Sequence, residues 1–264
     1  IVLICLFTFI IHLISTLSYS VRIVGVRTRK IAISFSLFNI MVLLSRTANT
    51  FLAPLLSKDI ETNIKLDLLN NNLWLFRLIL ISSTIATLFG VLLIPTFQRL
   101  FTIAVNSYSK NKSMSRLIIK FLSRPGMRDI RSSISLPKKS NVSIKSNSLK
   151  RTILRPFILN MIIVSILSVG TLSSLYAGYL VPDFRTTANS LHSIINGIAT
   201  VLLYLFVDPF LSGMTDDVIE GNYPESDFRK NVVYLSIARI FGTVLAQLIL
   251  IPAAIIISKI AKYI

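Results

Sequence analysis

Residues 232–258 read VVYLSIARIFGTVLAQLILIPAAIIIS, and this stretch decides the fold. It is longer than the roughly 20 residues that an α-helix needs to cross the roughly 30 Å hydrocarbon layer of a bilayer. Five further segments share its apolar character, and 53% of the chain is hydrophobic. The six predicted spans are approximately Ile1–Tyr19, Ile31–Pro54, Leu73–Pro95, Pro156–Val181, Phe184–Phe210 and Val232–Ser258. The sequence therefore predicts an all-α, polytopic membrane protein.

The segment between the third and fourth spans, 96–155, is strongly basic. It holds half of the 28 lysines and arginines, and Asp129 is its only acidic residue. Because positively charged loops stay in the cytoplasm, we predict that 96–155 is cytoplasmic and that both termini lie outside. Within it, Ser113–Arg124 has one apolar face and one basic face, which predicts an interfacial amphipathic helix. We expect this loop to attract anionic phospholipids rather than nucleic acid, since it is tethered between spans and has few aromatic residues.

The two halves of the chain share a pattern of polar residues. PLLS (54–57) followed by DIETN (59–63) resembles PFLS (209–212) followed by DVIEGN (217–222). Chance similarity is the alternative, and it explains the polar matches poorly. Three spans in each half would invert the second copy relative to the first, as in many secondary transporters. The predicted organisation is a three-helix repeat at 1–95, the basic cytoplasmic loop at 96–155 and a second three-helix repeat at 156–264.

Arginine recurs where lipid is expected. Arg46 lies in the second span, Arg239 lies in the sixth and Arg185 is at the start of the fifth. A charged side chain at the membrane centre costs about 2.5–3.5 kcal/mol, so such residues face water or a counter-charge. Asp208 is the only obvious carboxylate, which leaves a surplus of cations, and a guanidinium fits phosphate oxygens bidentately. The arginines therefore predict a transporter of an anion with a cationic, water-filled cavity.

Helical spacing places further polar residues on the faces that carry these arginines. The predicted substrate-binding residues are Arg46, Arg185, Arg239, Arg22, Asn39, Asn49, Asn189, Asn196, Gln247 and Tyr19. The residues considered for proton coupling or gating are His12, His192, Asp208, Asp216, Asp217 and Arg27. A neutral, hydrogen-bonded histidine and a solvated loop acid are the alternatives for that second set. Arg77, near one end of the third span, is interpreted as snorkelling to the interface.

Motifs of catalytic and metal sites are missing from the sequence. It contains no Gly-x-x-x-x-Gly-Lys, no His-Glu-x-x-His and no Gly-x-Ser-x-Gly. Cys5 is the only cysteine, so one chain can form neither a disulfide nor a thiolate metal cluster. We expect a protein that is not an enzyme and that uses no metal or other cofactor.

The segment HLISTLSYSVRIVGVRTR (12–29) resembles the signature of the Amj family. The similarity continues at SRTAN (45–49), YAGYLVP (176–182), RTTA (185–188) and MTDDVIEG (214–221). The resemblance implies a multi-pass protein of the bacterial plasma membrane that flips the peptidoglycan precursor lipid II. The chain departs from the family pattern at Ser15 and Leu52, where an acidic residue and glutamine are frequent.

The predicted function combines this resemblance with the cationic cavity. We expect alternating access to undecaprenyl-diphosphate-linked lipid II, with the diphosphate on the arginines and a lateral opening for the lipid tail. One alternative is a flippase or exporter of another isoprenoid-linked anionic lipid, and another is a non-transporting membrane scaffold of cell-wall synthesis. Because six helices form a small bundle for so bulky a headgroup, a homodimer is also considered.

Overall fold

The computed structural model describes residues 2–65, 73–137 and 147–264, and within these ranges the regular structure is entirely helical. The helices are α1 (Val2–Thr28), α2 (Ile31–Lys65), α3 (Leu73–Asn111), α4 (Met114–Leu122), α5 (Arg124–Ser133), α6 (Asn147–Leu180), α7 (Arg185–Leu202), α8 (Asp208–Ile219) and α9 (Glu225–Tyr263). A π-helical turn, Leu203–Val207, joins α7 to α8. Six stretches of this described chain are long and apolar enough to cross a membrane. The predicted all-α class with six spans is confirmed.

The helices extend beyond the predicted spans. α3 continues through Pro95, α2 continues through Pro54, and α6 begins before Pro156. Proline removes one backbone hydrogen bond, but a membrane helix tolerates it where neighbouring helices support the backbone. The helices therefore continue past the predicted span ends at these three prolines, and the points where they leave the membrane stay predictions. α3 and α6 each cross a boundary of the predicted three-part division, which stays a prediction.

Each half of the chain is arranged around its first helix. α1 packs against α2 and α3, and α6 packs against α7 and α9. A Cβ added to Gly90 of α3 would lie 2.7 Å from the Thr16 Cβ on α1, and one added to Gly242 of α9 would lie 2.7 Å from the Met161 carbonyl oxygen on α6. Glycine at these crossings lets the backbones approach closely, as is common between membrane helices. The packing order is the same in both halves, and the duplication itself stays a prediction.

Contacts of α9 with α3 and α1 join the two halves. A buried cluster at this junction includes Leu56, Phe76, Leu80, Leu175 and Leu250, which come from α2, α3, α6 and α9. Lipid tails are as apolar as leucine, so close packing, more than removal from water, holds such a cluster together in a membrane. The two halves are thus packed tightly where these residues meet.

The predicted amphipathic segment forms α4, and its apolar face is divided between two surroundings. Leu117 is buried in a cluster with residues of α1, α2 and α3. Ile118 and Leu122 are 53% and 78% exposed. One row of apolar side chains therefore anchors α4 to the bundle while a second row is uncovered. The predicted interfacial amphipathic helix stays a prediction, and residues 138–146 of the basic loop lie outside the described residues.

Candidate functional site

The described residues include two polar cavities beside α2 and α6. The His12 cavity has a volume of about 70 Å³ and the Arg185 cavity about 110 Å³. The polar lining residues are Thr8, His12, Asn49, Ser168 and Thr171 in the His12 cavity, and Ser57, Glu61, Arg185, Thr186 and Asn189 in the Arg185 cavity. Pockets for drug-sized ligands measure about 300–1,000 Å³, so neither cavity admits a whole glycan headgroup in this conformation. Neither of these two cavities is the headgroup-sized cavity expected from the arginines, which stays a prediction.

Arg239 is buried on α9, with 8% of its surface exposed. Its Cζ lies 5.8 Å from the centroid of the Tyr19 ring, which is a cation–π contact. Among the described residues no carboxylate oxygen lies within 4.0 Å of this guanidinium, and its Nε has no hydrogen-bond partner. Arg239 is also within electrostatic range of His12. A buried guanidinium with an unused donor has the properties of an incomplete anion site.

Asn160 holds Tyr19 in place and was not among the predicted site residues. The Tyr19 hydroxyl donates to Asn160 Oδ1 at 2.8 Å, and Asn160 Nδ2 donates to the Leu235 carbonyl at 2.9 Å. These two bonds connect α1, α6 and α9 at a fully buried amide. A lone amide inside the apolar fourth span is the sequence signal that could have identified it, because such a group needs partners within a membrane.

Arg22 is already paired. Its Nη1 donates to Ser212 Oγ at 2.8 Å and its Nη2 to Asp208 Oδ1 at 3.3 Å. Its Cζ lies 5.1 Å from the Phe35 ring centroid. The pair links α1 of the first half to α8 of the second, so Asp208 neutralises Arg22 rather than one of the deeper arginines.

Arg27 pairs with a carboxylate that the sequence analysis did not select. Its Nε donates to Glu225 Oε1 at 2.7 Å, in the first turn of α9. Asp216 and Asp217 are exposed on α8. Glu225 follows the α8–α9 turn, and tertiary packing brings it to the end of α1. Local sequence spacing could not indicate this contact, because the two residues are far apart in the chain.

Arg185 and Glu61 meet at the opposite end of the bundle. Arg185 Nη2 lies 4.0 Å from Glu61 Oε1, and the two side chains are 44% and 53% exposed. The pair joins α7 of the second half to α2 of the first. Asn189, one turn along α7, lines the same cavity, and its Oδ1 is buried without a hydrogen-bond partner among the described residues.

Three predicted residues lie on an exposed face of α2: Asn39, Arg46 and Asn49. The described residues offer no carboxylate within 4.0 Å of the Arg46 guanidinium. Asn49 also lines the His12 cavity, and its spacing of three residues from Arg46 places both on one helical face. Arg46 therefore lies next to the side of that cavity formed by α2, whereas Asn39 lines neither cavity.

Arg77 and Gln247 form a clasp between α3 and α9. Arg77 Nη1 donates to the carbonyl oxygen of Gln247 and to its Oε1, the latter at 3.3 Å. In return, Gln247 Nε2 donates to the Arg77 carbonyl at 3.2 Å. The interpretation of Arg77 as a snorkelling residue is wrong, because α9 supplies the acceptors for its guanidinium. Gln247, a predicted substrate-binding residue, is hydrogen-bonded to Arg77.

The two histidines differ in their surroundings. His192 Nδ1 is 2.5 Å from the Asn189 carbonyl oxygen, and its Nε2 is 3.3 Å from Ser193 Oγ. His12 Nδ1 is buried and has no partner among the described residues. Asn196 donates from Nδ2 to Thr171 Oγ1 at 3.2 Å, which connects α7 to the wall of the His12 cavity. Of the histidines, only His12 lies in a cavity.

The predicted residues thus fall into separate groups. His12 and Asn49 line the His12 cavity, and Arg185 and Asn189 line the Arg185 cavity. Tyr19 and Arg239 contact each other and line neither cavity. A bundle of six apolar helices whose described residues include a buried guanidinium and buried amide oxygens without partners defines the class of polytopic membrane proteins.

Comparison with known proteins identifies the family. The Amj family, described as "Alternate to MurJ", matches residues 7–261. A protein of Bacillus subtilis (strain 168) named "Lipid II flippase Amj" is 37% identical over 260 residues, which cover 97% of this chain and 95% of that protein. No solved structure matches the chain. The chain belongs to the Amj family, which confirms the resemblance read from its motifs and agrees with the prediction that it is not an enzyme.

Proposed function

We propose that this chain flips lipid II across the bacterial plasma membrane. The observation that carries the proposal is Arg239, a buried guanidinium without a carboxylate partner among the described residues and with an unused Nε donor. An uncompensated buried cation is costly, and an anion that visits the site offsets this cost. The name of the Bacillus subtilis relative supports lipid II as the source of that anion.

The diphosphate of the cargo would contact Arg46, Arg239 and Arg185 in turn. Arg46 is exposed on α2, Arg239 is buried against the Tyr19 ring, and Arg185 lines the second cavity. Guanidinium groups bind phosphate oxygens bidentately, and loss of the carboxylate partner frees Arg185 for this purpose. The polyprenyl tail remains in lipid throughout, so the route opens sideways between helices.

Alternating access follows from the ion pairs that join the two halves. Arg22–Asp208 and Arg27–Glu225 connect them at one end of the bundle, and Arg185–Glu61 connects them at the other. An inverted three-helix repeat would provide two equivalent packings of the halves. Breaking the pairs at one end while those at the other end remain would expose the polar interior to one side only.

The orientation places 96–155 in the cytoplasm and both termini outside. Arg27 donates to Gln98 at 3.2 Å and Lys30 donates to Asn106 at 3.0 Å, so the α1–α2 turn lies against the start of the basic segment. The α1–α2 turn and the part of the basic segment around Gln98 and Asn106 therefore occupy one end of the bundle, as the positive-inside rule requires of cytoplasmic loops. The uncovered apolar row of α4 would dip into the same leaflet, where its basic residues Arg116 and Lys120 attract anionic phospholipids.

The test is transport of labelled lipid II in vesicles that contain only the purified protein. A membrane-impermeant reagent destroys the label in the outer leaflet, and the fraction destroyed rises with time if lipid II is flipped. The same assay with an isoprenoid-linked lipid that carries another glycan separates the cargo alternatives. Equal rates in protein-free and protein-containing vesicles would refute flipping and favour the scaffold.

A further inference from the structure

We infer that the His12 cavity is a binding site for a single phosphate group. This inference rests on the proposed function only for the identity of the lipid that supplies the phosphate. Its volume of about 70 Å³ exceeds the roughly 10–15 Å³ that a cavity needs to hold one water, and it suits an anion of phosphate size. The cavity is too small for a sugar chain. It therefore selects one charged group rather than a whole headgroup.

The cavity lining presents hydrogen-bond donors that have no acceptor among the described residues. The Asn49 amide makes no side-chain hydrogen bond there, and Thr171 uses its hydroxyl oxygen only to accept from Asn196. The Thr171 hydroxyl hydrogen is therefore free to donate. His12 lines the same cavity. The Asn49 amide and the Thr171 hydroxyl are thus two unused donors in its lining, and such donors are suited to the oxygens of an anion.

Two of the three hydroxyl groups in the lining already donate to backbone carbonyls, so each presents only an acceptor to the cavity. Thr8 donates to the Ile4 carbonyl at 2.9 Å, and Ser168 donates to the Val164 carbonyl at 2.7 Å. The lining residues Thr8, His12, Asn49, Ser168 and Thr171 include no carboxylate. The cavity therefore lacks the ligands that a hard cation prefers, which excludes a calcium-type site within these residues.

A buried positive charge has the sign that an anion needs. Arg239 does not line the cavity, but its charge is within electrostatic range of His12, which does. The cation–π contact with Tyr19 holds the guanidinium, and Asn160 holds Tyr19 through the 2.8 Å hydrogen bond. Asn160 is thus a positioning residue for Arg239 that acts through Tyr19. Low local polarity strengthens the attraction between such a cation and a phosphate.

Access to the cavity is from the α2 side. Asn49 lines it and is exposed, and Arg46 is exposed on the same helical face three residues earlier. A phosphate that approaches from the lipid between α2 and α6 would meet Arg46 first. The same chemistry is carried by a polyprenyl phosphate or by free inorganic phosphate, and the experiment distinguishes them.

The experiment measures binding of radiolabelled inorganic phosphate to the full-length protein at constant ionic strength. Thr171→Val removes the hydroxyl at nearly constant volume, and Thr171→Ser restores it. Thr84→Val, at a half-buried position of α3 that lines neither cavity, is the matched control. We expect Thr171→Val to weaken phosphate binding about tenfold, the factor for one hydrogen bond to a charged group, with Thr171→Ser and Thr84→Val near the wild type.

A second arm adds a short-chain polyprenyl phosphate as competitor. Displacement of inorganic phosphate identifies the lipid as a source of the group, and failure to displace it identifies a site for the free anion. Either result supports a phosphate site, whereas no phosphate binding, or equal binding by wild type and Thr171→Val, overturns it. Because lipid II flipping is measured separately on the wild type, a protein that binds phosphate without flipping would refute only the proposed function.

Discussion

Replacement of Arg239 by methionine should abolish transport without destabilising the protein. A charged side chain at mid-membrane costs about 2.5–3.5 kcal/mol, and methionine removes this cost while filling similar space. Loss of the cation–π contact with Tyr19 costs about 1–2 kcal/mol, which offsets part of the stability gained when the charge is removed. We therefore expect the free energy of unfolding to be unchanged or to rise by about 1–2 kcal/mol. This behaviour is unusual, because most substitutions of buried residues destabilise.

The effect on flipping has the opposite sign. Two charge-assisted hydrogen bonds from the guanidinium to a phosphate contribute at least about 3 kcal/mol, so we expect the flipping rate to fall on the order of a hundredfold. Thermal unfolding of the purified variant and flipping of labelled lipid II in vesicles measure the two quantities. Arg99→Met, at an exposed position of α3, is the control and should keep its flipping rate. Normal flipping by Arg239→Met, or a loss of more than about 2 kcal/mol of stability, would show that Arg239 is structural.

Three further predictions concern contacts between the halves and the α4 surface. Arg22→Asp and Asp208→Arg should each stop growth that depends on this flippase, and the double exchange should restore it if the pair is a gate; no rescue would contradict that role. Asn160→Leu and Tyr19→Phe should show a coupling of about 1 kcal/mol in thermal unfolding, since both remove one 2.8 Å hydrogen bond, and additive effects would exclude it. In a Trp74→Phe background, the tryptophan fluorescence of Leu122→Trp should be quenched by brominated lipid more strongly when the bilayer is anionic than when it is neutral. Equal quenching in the two bilayers would contradict the proposed attraction of α4 to anionic lipid.

The candidate site could be predicted in its residue types but only partly in its partners. The periodicity of α1 correctly placed His12 and Tyr19 on one face, because a helix fixes which of its own residues lie together. It could not indicate that Asn160 receives the Tyr19 hydroxyl, since those residues are far apart in the sequence. For the same reason the pairing of Arg27 with Glu225 was missed.

The volume of the interior could not be predicted from the sequence either. A surplus of arginine predicts an anion but not the volume in which it binds, because that volume depends on how closely the helices pack. Gly90 and Gly242 allow close crossings within each half, and the resulting bundle holds small cavities among the described residues. Under the proposed function, passage of a lipid II headgroup would therefore require the halves to separate. The ion pairs at the two ends, whose gating role is proposed, are where that separation would begin.

By itself, the amino-acid sequence determined six spans, a basic loop and several arginines without nearby acids, because apolar length and charge are properties of each segment alone. Tertiary structure decided which of those cations are neutralised. Arg22 and Arg185 each meet a carboxylate from the other half, whereas Arg239 is buried against a tyrosine ring with its Nε unpartnered. The physical reason is that a helix sets the direction of its side chains, but only packing sets which neighbour they face.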